Sequence, residues 1–207
     1  MKKKTGYFIT FEGAEGSGKS TQIKRAAAFI RKQGRQVVLL REPGGTRISE
    51  DIREIILNKK FKEMKPQAEL LLYLAARAQI VREKILPALE KGKVVICDRF
   101  EDSTLAYQGY GRGFSLKDIE WAGRNLVRGN LKPGLTFLLD IDPKTGMKRG
   151  GRHDRMERQS FAFHRKVRNG FLALARKNPG RCVIIDATQS IEEVSRMIRE
   201  RLVRYVH

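Results

Sequence analysis

The chain has 207 residues, 41% of them apolar and 32% charged, with a formal net charge of +20. That length suits roughly one domain, and apolar segments recur throughout, which excludes a disordered chain. No apolar run approaches the ~20 residues that cross a bilayer, and the basic start, MKKKTGYFITFEG, is followed by too short an apolar stretch for a secretory signal, so the expected location is the cytoplasm.

In chain order, GYFITFEG reads as the first strand. A helix over 19–33 follows and is ended by Gly34. QVVLL (36–40) is the second strand, 47–57 a short helix, and 66–90 a long helix opened by Pro66. KVVICD (93–98) is the third strand, with helical segments near 102–108 and 115–127. GLTFLLDID (134–142) is the fourth strand; a basic segment then leads into a helix over about 156–177. RCVIIDA (181–187) is the fifth strand and 190–205 the closing helix. Short, apolar, β-branched strands alternating with helices predict a doubly wound five-stranded parallel sheet flanked by helices. The expectation is a single domain over 1–207 with a short basic lid at about 147–158. Cys97 and Cys182 lie inside strand-like runs and read as buried thiols.

Between the first strand and first helix stands FEGAEGSGKST. Gly13 to Ser20 fits G-x-x-x-x-G-K-[ST] in its required strand–loop–helix context. Glycines let successive backbone N–H groups converge on phosphate oxygens, and the helix N-terminus adds its positive end. Gly13, Ala14, Glu15, Gly16, Ser17, Gly18, Lys19, Ser20 and Thr21 are therefore the predicted nucleoside triphosphate cradle. Lys19 would reach the β- and γ-phosphates and the Ser20 hydroxyl would ligate Mg²⁺.

What accepts the phosphoryl group is a separate question. The guanine-reading N-K-x-D of a GTPase is missing, since the one NK occurs in NKKF (58–61). A kinase holding two anionic substrates needs cations, and 144–168 is rich in them. Two further stretches, REPGGT (41–46) and DRFEDSTLAYQG (98–109), follow strands two and three at the carboxyl edge where such sheets bind ligands. There Asp98 is positioned as an acid near Mg²⁺, and Arg99 as a grip for an acceptor phosphate. The high charge leaves a basic nucleic-acid-binding ATPase as an alternative, but no helix-turn-helix or interleaved aromatic-basic pattern supports it.

Taken together, FEGAEGSGKST, REPGGT, ELLLYLAARAQ (69–79), DRFEDSTLAYQG, GRG (111–113) and LLDID (138–142) resemble the thymidylate kinase family over nearly the whole chain. The resemblance implies transfer of the ATP γ-phosphoryl group to dTMP, giving dTDP for dTTP synthesis. It assigns the dTMP phosphate to Arg99 and Arg53. The Glu42-Pro43 step shapes the monophosphate pocket, often through a cis bond. Tyr73 would stack on the base, where Phe is more usual, and Arg77 would reach thymine O4; four residues apart, they share a helix face. Thr104 would meet thymine N3, Tyr107 would lie against the 2′ carbon, and Gln108 completes the motif. Some members carry an arginine in the phosphate loop. Here the loop holds Glu15, and lid arginines Arg149, Arg152 and Arg155 are the implied substitutes. The resemblance also implies a homodimer, and the residues themselves give no reason to expect a membrane or a nucleic acid as partner. Another nucleoside monophosphate as acceptor is the nearest alternative.

Overall fold

The computed structural model describes residues 6–150 and 154–206. Five strands form one parallel sheet: β1 (Tyr7–Glu12), β2 (Val37–Arg41), β3 (Val94–Asp98), β4 (Leu135–Asp140) and β5 (Cys182–Asp186), in the order β2-β3-β1-β4-β5. Each lies within two residues of its predicted span.

Side chains alternate across the sheet with period two, and both faces are covered, as a parallel sheet requires. From β1, Ile9 and Phe11 enter one core with Ile96 of β3 and Phe137 of β4. That face is covered by α1 (Lys19–Lys32) and α9 (Ile191–Val206), through Ala27, Ile30, Ile198 and Leu202. Phe8 of β1, with Val95 and Cys97 of β3, points the other way, onto α3 (Pro66–Ile80) and the turns after it. A third cluster joins Leu138 and Cys182 to Phe163, Val167 and Phe171 of α8 (Phe161–Lys177). The two cysteines are buried free thiols, as expected.

The remaining helices differ from the sequence expectation in four ways. The helix over 66–90 is continuous but not uniform: it widens into a π-helical turn at Val81–Ile85 before α4 (Leu86–Glu90), just ahead of Pro87, which has no N–H to give a carbonyl of the preceding turn. After β3, α5 (Glu101–Thr104) likewise runs into a π-helical stretch, Leu105–Gly111, and α6 (Leu116–Ala122) into another at Gly123–Arg128. The basic segment after β4 is itself helical, α7 (Pro143–Gly150). Pro143 opens it, and the Asp142 carboxylate accepts the Lys144 N–H at 2.9 Å. α8 starts at Phe161, later than expected, because Ser160 caps it by accepting the Phe163 N–H. Helix α2 (Arg47–Leu57) is capped by Thr46 in the same way.

The chain leaves β1 for β2 and β3 on one side and β4 and β5 on the other. The crevice at the carboxyl end of β1 is therefore the switch point where such sheets bind ligands.

Candidate active site

The loop after β1 has the backbone of an anion cradle. Gly13, Gly16 and Gly18 all have positive φ, and Gly18 precedes the first turn of α1. A Cβ at Gly16 would strike the Gly146 carbonyl of α7, so the glycine is needed for close approach as well. With no ligand, the Lys19 ammonium donates to Gly13 O (3.0 Å) and Ala14 O (2.9 Å). It is buried, and burial, with Arg99 next to it, pulls its pKa down to about 8. Ser20 and Thr21 are exposed and open onto a groove of about 610 Å³, whose far wall is Arg149 and the Ala187–Ile191 segment after β5.

A second cavity, about 70 Å³, lies beyond β2 and β3. All nine residues predicted to hold the acceptor line it: Glu42, Pro43, Arg53, Tyr73, Arg77, Arg99, Thr104, Tyr107 and Gln108. The Glu42-Pro43 bond is cis, and Arg53 donates to the Pro43 carbonyl at 2.8 Å, which fixes that corner. Arg77 is buried and donates through Nε to Glu42 at 2.6 Å. Burial raises Glu42 to about 7 against the pull of Arg77. The half-buried Tyr73 keeps its proton, since burial pushes its pKa well up.

Glu15 joins the cradle to this cavity. Its carboxylate pairs with Arg99 Nη2 at 2.9 Å and accepts the Tyr107 hydroxyl at 2.7 and 2.9 Å. Burial alone would raise its pKa, but Arg99 and Lys19 outweigh that and hold it low. Arg99 thus meets an anion from the phosphate loop at the place expected for an acceptor phosphate. Among the described residues, the buried polar side-chain atoms without a hydrogen bond are Glu42 Oε1, Asp98 Oδ1, Arg155 Nη2 and His164 Nε2. Glu42 lines this cavity, and His164 Nδ1 lies 3.9 Å from Glu15. A buried carboxylate oxygen left unbonded in the wall of this cavity marks a place where a ligand completes the bonding.

The family model for thymidylate kinase matches residues 11–198. The thymidylate kinase of Geobacter sulfurreducens is 48% identical over 210 residues, covering 97% of this chain and 98% of its own. That of Deinococcus radiodurans is 49% identical over 192 residues, covering 91% and 92%. The crystal structure of thymidylate kinase from Ehrlichia chaffeensis superposes with a TM-score of 0.78 at 36% identity, over 96% of this chain and 98% of that one. The chain belongs to the thymidylate kinase family.

Within that family assignment, the three lid arginines separate. Arg149, on α7, donates to Ala187 O at 3.0 Å and lines the groove beside the phosphate loop. Arg155 does not join it: its side chain is buried, paired with Glu69 at 2.7 Å and donating to Ile56 O at 2.8 Å. Glu69 also accepts from Arg112 and Gln108, so Arg155 braces the wall beneath the acceptor cavity. Arg152 lies outside the described residues. Asp98 ends β3 with Oδ1 buried and unbonded, and Ser20 stands on the first turn of α1.

Four further residues line the acceptor cavity beyond those expected from the sequence: Leu57, Ser103, Asp154 and Met156. Ser103 had a signal, since it falls four residues after Arg99 at a helix start, within side-chain reach. Met156 and Asp154 have none, because the turn carrying them reads from the sequence as lid and helix. Gln189 and Ser190, in the donor groove, follow β5 at the ligand-binding edge and could have been found by that rule.

Proposed function

We propose that the chain transfers the γ-phosphoryl group of ATP to the phosphate of dTMP, with Lys19 and its loop holding the donor and the Arg99 cavity holding the acceptor. The observation that carries this reading is the Glu15–Arg99 pair, which brings the triphosphate loop and a cavity lined by all nine family acceptor residues into direct contact. The nucleophile is a phosphate oxygen, already anionic near neutral pH, so no strong base is needed. Catalysis consists of positioning and charge neutralisation. Lys19 stabilises charge on the moving group, Arg99 orients the acceptor phosphate, and Arg149 is the lid cation standing at the donor groove. Asp98 and Ser20 offer oxygens that suit Mg²⁺, a hard cation that takes few protein ligands at nucleotide sites. When bound, Mg²⁺ supplies charge neutralisation at the β- and γ-phosphates. Tyr73, Arg77 and Thr104 form the base wall, and Tyr107 the sugar wall.

The test is ADP release from MgATP with dTMP, dUMP, dCMP, dGMP and thymidine as acceptors. The expected kcat/KM is highest for dTMP. It falls about tenfold or more for dUMP, which lacks only the methyl group, and further for the others. Thymidine matching dTMP, or no acceptor-dependent ADP at all, would overturn the reading.

The expected homodimer is part of the proposal. Leu71 on α3 is 65% exposed and Leu126 on the π-helical stretch packed against it is 68% exposed, so an apolar surface is available for a second copy. Sedimentation equilibrium should give twice the chain mass of 23.7 kDa; the chain mass at micromolar concentration would refute this.

A further inference from the structure

Strand β1 ends in an acid that neither the phosphate loop nor the acceptor cavity employs. Glu12 is 1% exposed and follows the fully buried Phe11. Its Oε1 accepts the Phe100 N–H at 2.7 Å and its Oε2 accepts the Ser103 hydroxyl at 2.6 Å. The same Ser103 oxygen accepts from Arg99 Nη1 at 3.2 Å. Arg99 has φ +70, the one non-glycine residue with positive φ among those described. Its own N–H donates to Phe11 O at 2.9 Å. The backbone of Arg99 is thus held by a β1 carbonyl on one side and by Glu12 on the other, and its guanidinium is linked to Glu12 through one hydroxyl.

We infer that Glu12 is a positioning residue for the acceptor phosphate: working through Ser103 and the Phe100 N–H, it keeps Arg99 in its left-handed turn and aims the guanidinium into the acceptor cavity. This rests on the reading of Arg99 as the phosphate grip. Glycine would take the left-handed turn without strain but would bring no guanidinium. An arginine stays there only where its surroundings over-determine the backbone. Two bonds from β1, one to each side of Arg99, do this. The neighbourhood also answers the other charge nearby, since Asp102, which faces Glu12, is held by Arg181 through two bonds of 2.8 Å. Glu12 is therefore free to act on the Arg99 turn. A glutamine at this position could accept the Phe100 N–H but would present an NH₂ to Ser103, turning the hydroxyl away.

The experiment compares dTMP with thymidine, ligands that differ only in the phosphate, by calorimetric binding to the wild type, Arg99→Ala, Glu12→Gln, Ser103→Ala and Ser103→Thr. Arg99→Ala should collapse the preference for dTMP. Glu12→Gln and Ser103→Ala should each reduce it about tenfold, the scale of one hydrogen bond, with thymidine affinity and the KM for ATP held within about threefold. Ser103→Thr, which keeps the hydroxyl, should retain the wild-type preference. A loss of general fold would weaken both ligands together, and that result for both Glu12→Gln and Ser103→Ala would overturn the inference. So would an unchanged dTMP preference in those two variants when Arg99→Ala abolishes it. If Arg99→Ala itself leaves the preference intact, the grip reading falls and takes the inference with it. Ser103→Ala, a single-atom deletion, decides the matter if Glu12→Gln does not fold.

Discussion

Replacing Lys19 by methionine should reduce kcat by about 10²–10³ or more while leaving the melting temperature within a few degrees of wild type. The rate estimate follows from the usual worth of one preorganised cation or donor facing the charge that develops on a transferred group. The stability estimate comes from two opposed effects. Lys19 donates to two carbonyls of its own loop, and methionine would leave both unbonded. Yet the folded-state pKa of Lys19 is depressed to about 8, so its contribution to stability is present above the unfolded value near 10.5 and is lost as pH falls through 8. At neutral pH the free protein therefore carries a buried ammonium at a cost, and methionine removes that cost. A bound triphosphate reverses the balance by supplying the counter-charge, which is why the residue is worth keeping. Steady-state ADP production and a thermal melt read the two quantities on one sample. Turnover within a few-fold of wild type would remove Lys19, and the phosphate loop with it, from the site.

The strands and the phosphate loop were legible because their signals are local. Apolar β-branched runs mark buried strands, and glycines spaced around Lys19 have no cheaper use than a tight phosphate turn. Arg99 and the two loops at the carboxyl edge were legible from their place after strands two and three, but the base pocket was legible only through resemblance, since Glu42, Tyr73 and Thr104 come from separate segments that nothing local brings together. Three features were hidden for physical reasons. α7 was obscured by its charge: the run from Lys144 to Arg149 reads as a solvated lid, although Asp142 and Pro143 form a helix start. Arg155 shares its composition with Arg149, yet an acid 86 positions earlier, Glu69, fixes it elsewhere, and pairing over that distance leaves no periodic trace. The same stretch is less of a free cation patch than its composition suggests, because Arg168 also forms two 2.8 Å bonds with Asp140. Glu12 was masked by its neighbours, an acid read as the tail of a strand, whose role depends on Phe100 and Ser103 folding over it.

Replacing Arg77 by methionine should destabilise the protein by about 3–5 kcal/mol at pH 8, because it leaves Glu42 buried without its cation. At this chain length that corresponds to a fall in melting temperature of roughly 6–20 °C. The deficit should shrink at pH 5.5. Burial has already raised the folded-state pKa of Glu42 to about 7, above its ordinary 4.5, so its contribution to stability is complete at low pH and is lost as pH rises through 7. Arg77 opposes that rise, and removing it moves the Glu42 pKa further up. At pH 5.5 the carboxyl then folds in as a neutral acid at modest cost, whereas at pH 8 it must be buried charged or be protonated against the solvent. Glu42→Gln in the same background should recover much of the loss at pH 8 and little at pH 5.5, a coupling that a double-mutant cycle measures directly. Binding should not recover with stability. Arg77 lines the acceptor cavity beside Tyr73, and without its guanidinium the affinity for thymidine should fall along with that for dTMP, unlike the phosphate-selective loss expected at Arg99. Equal destabilisation at both pH values would mean that Arg77 acts through packing on Phe100, 5.0 Å from its guanidinium carbon, and not through the Glu42 charge.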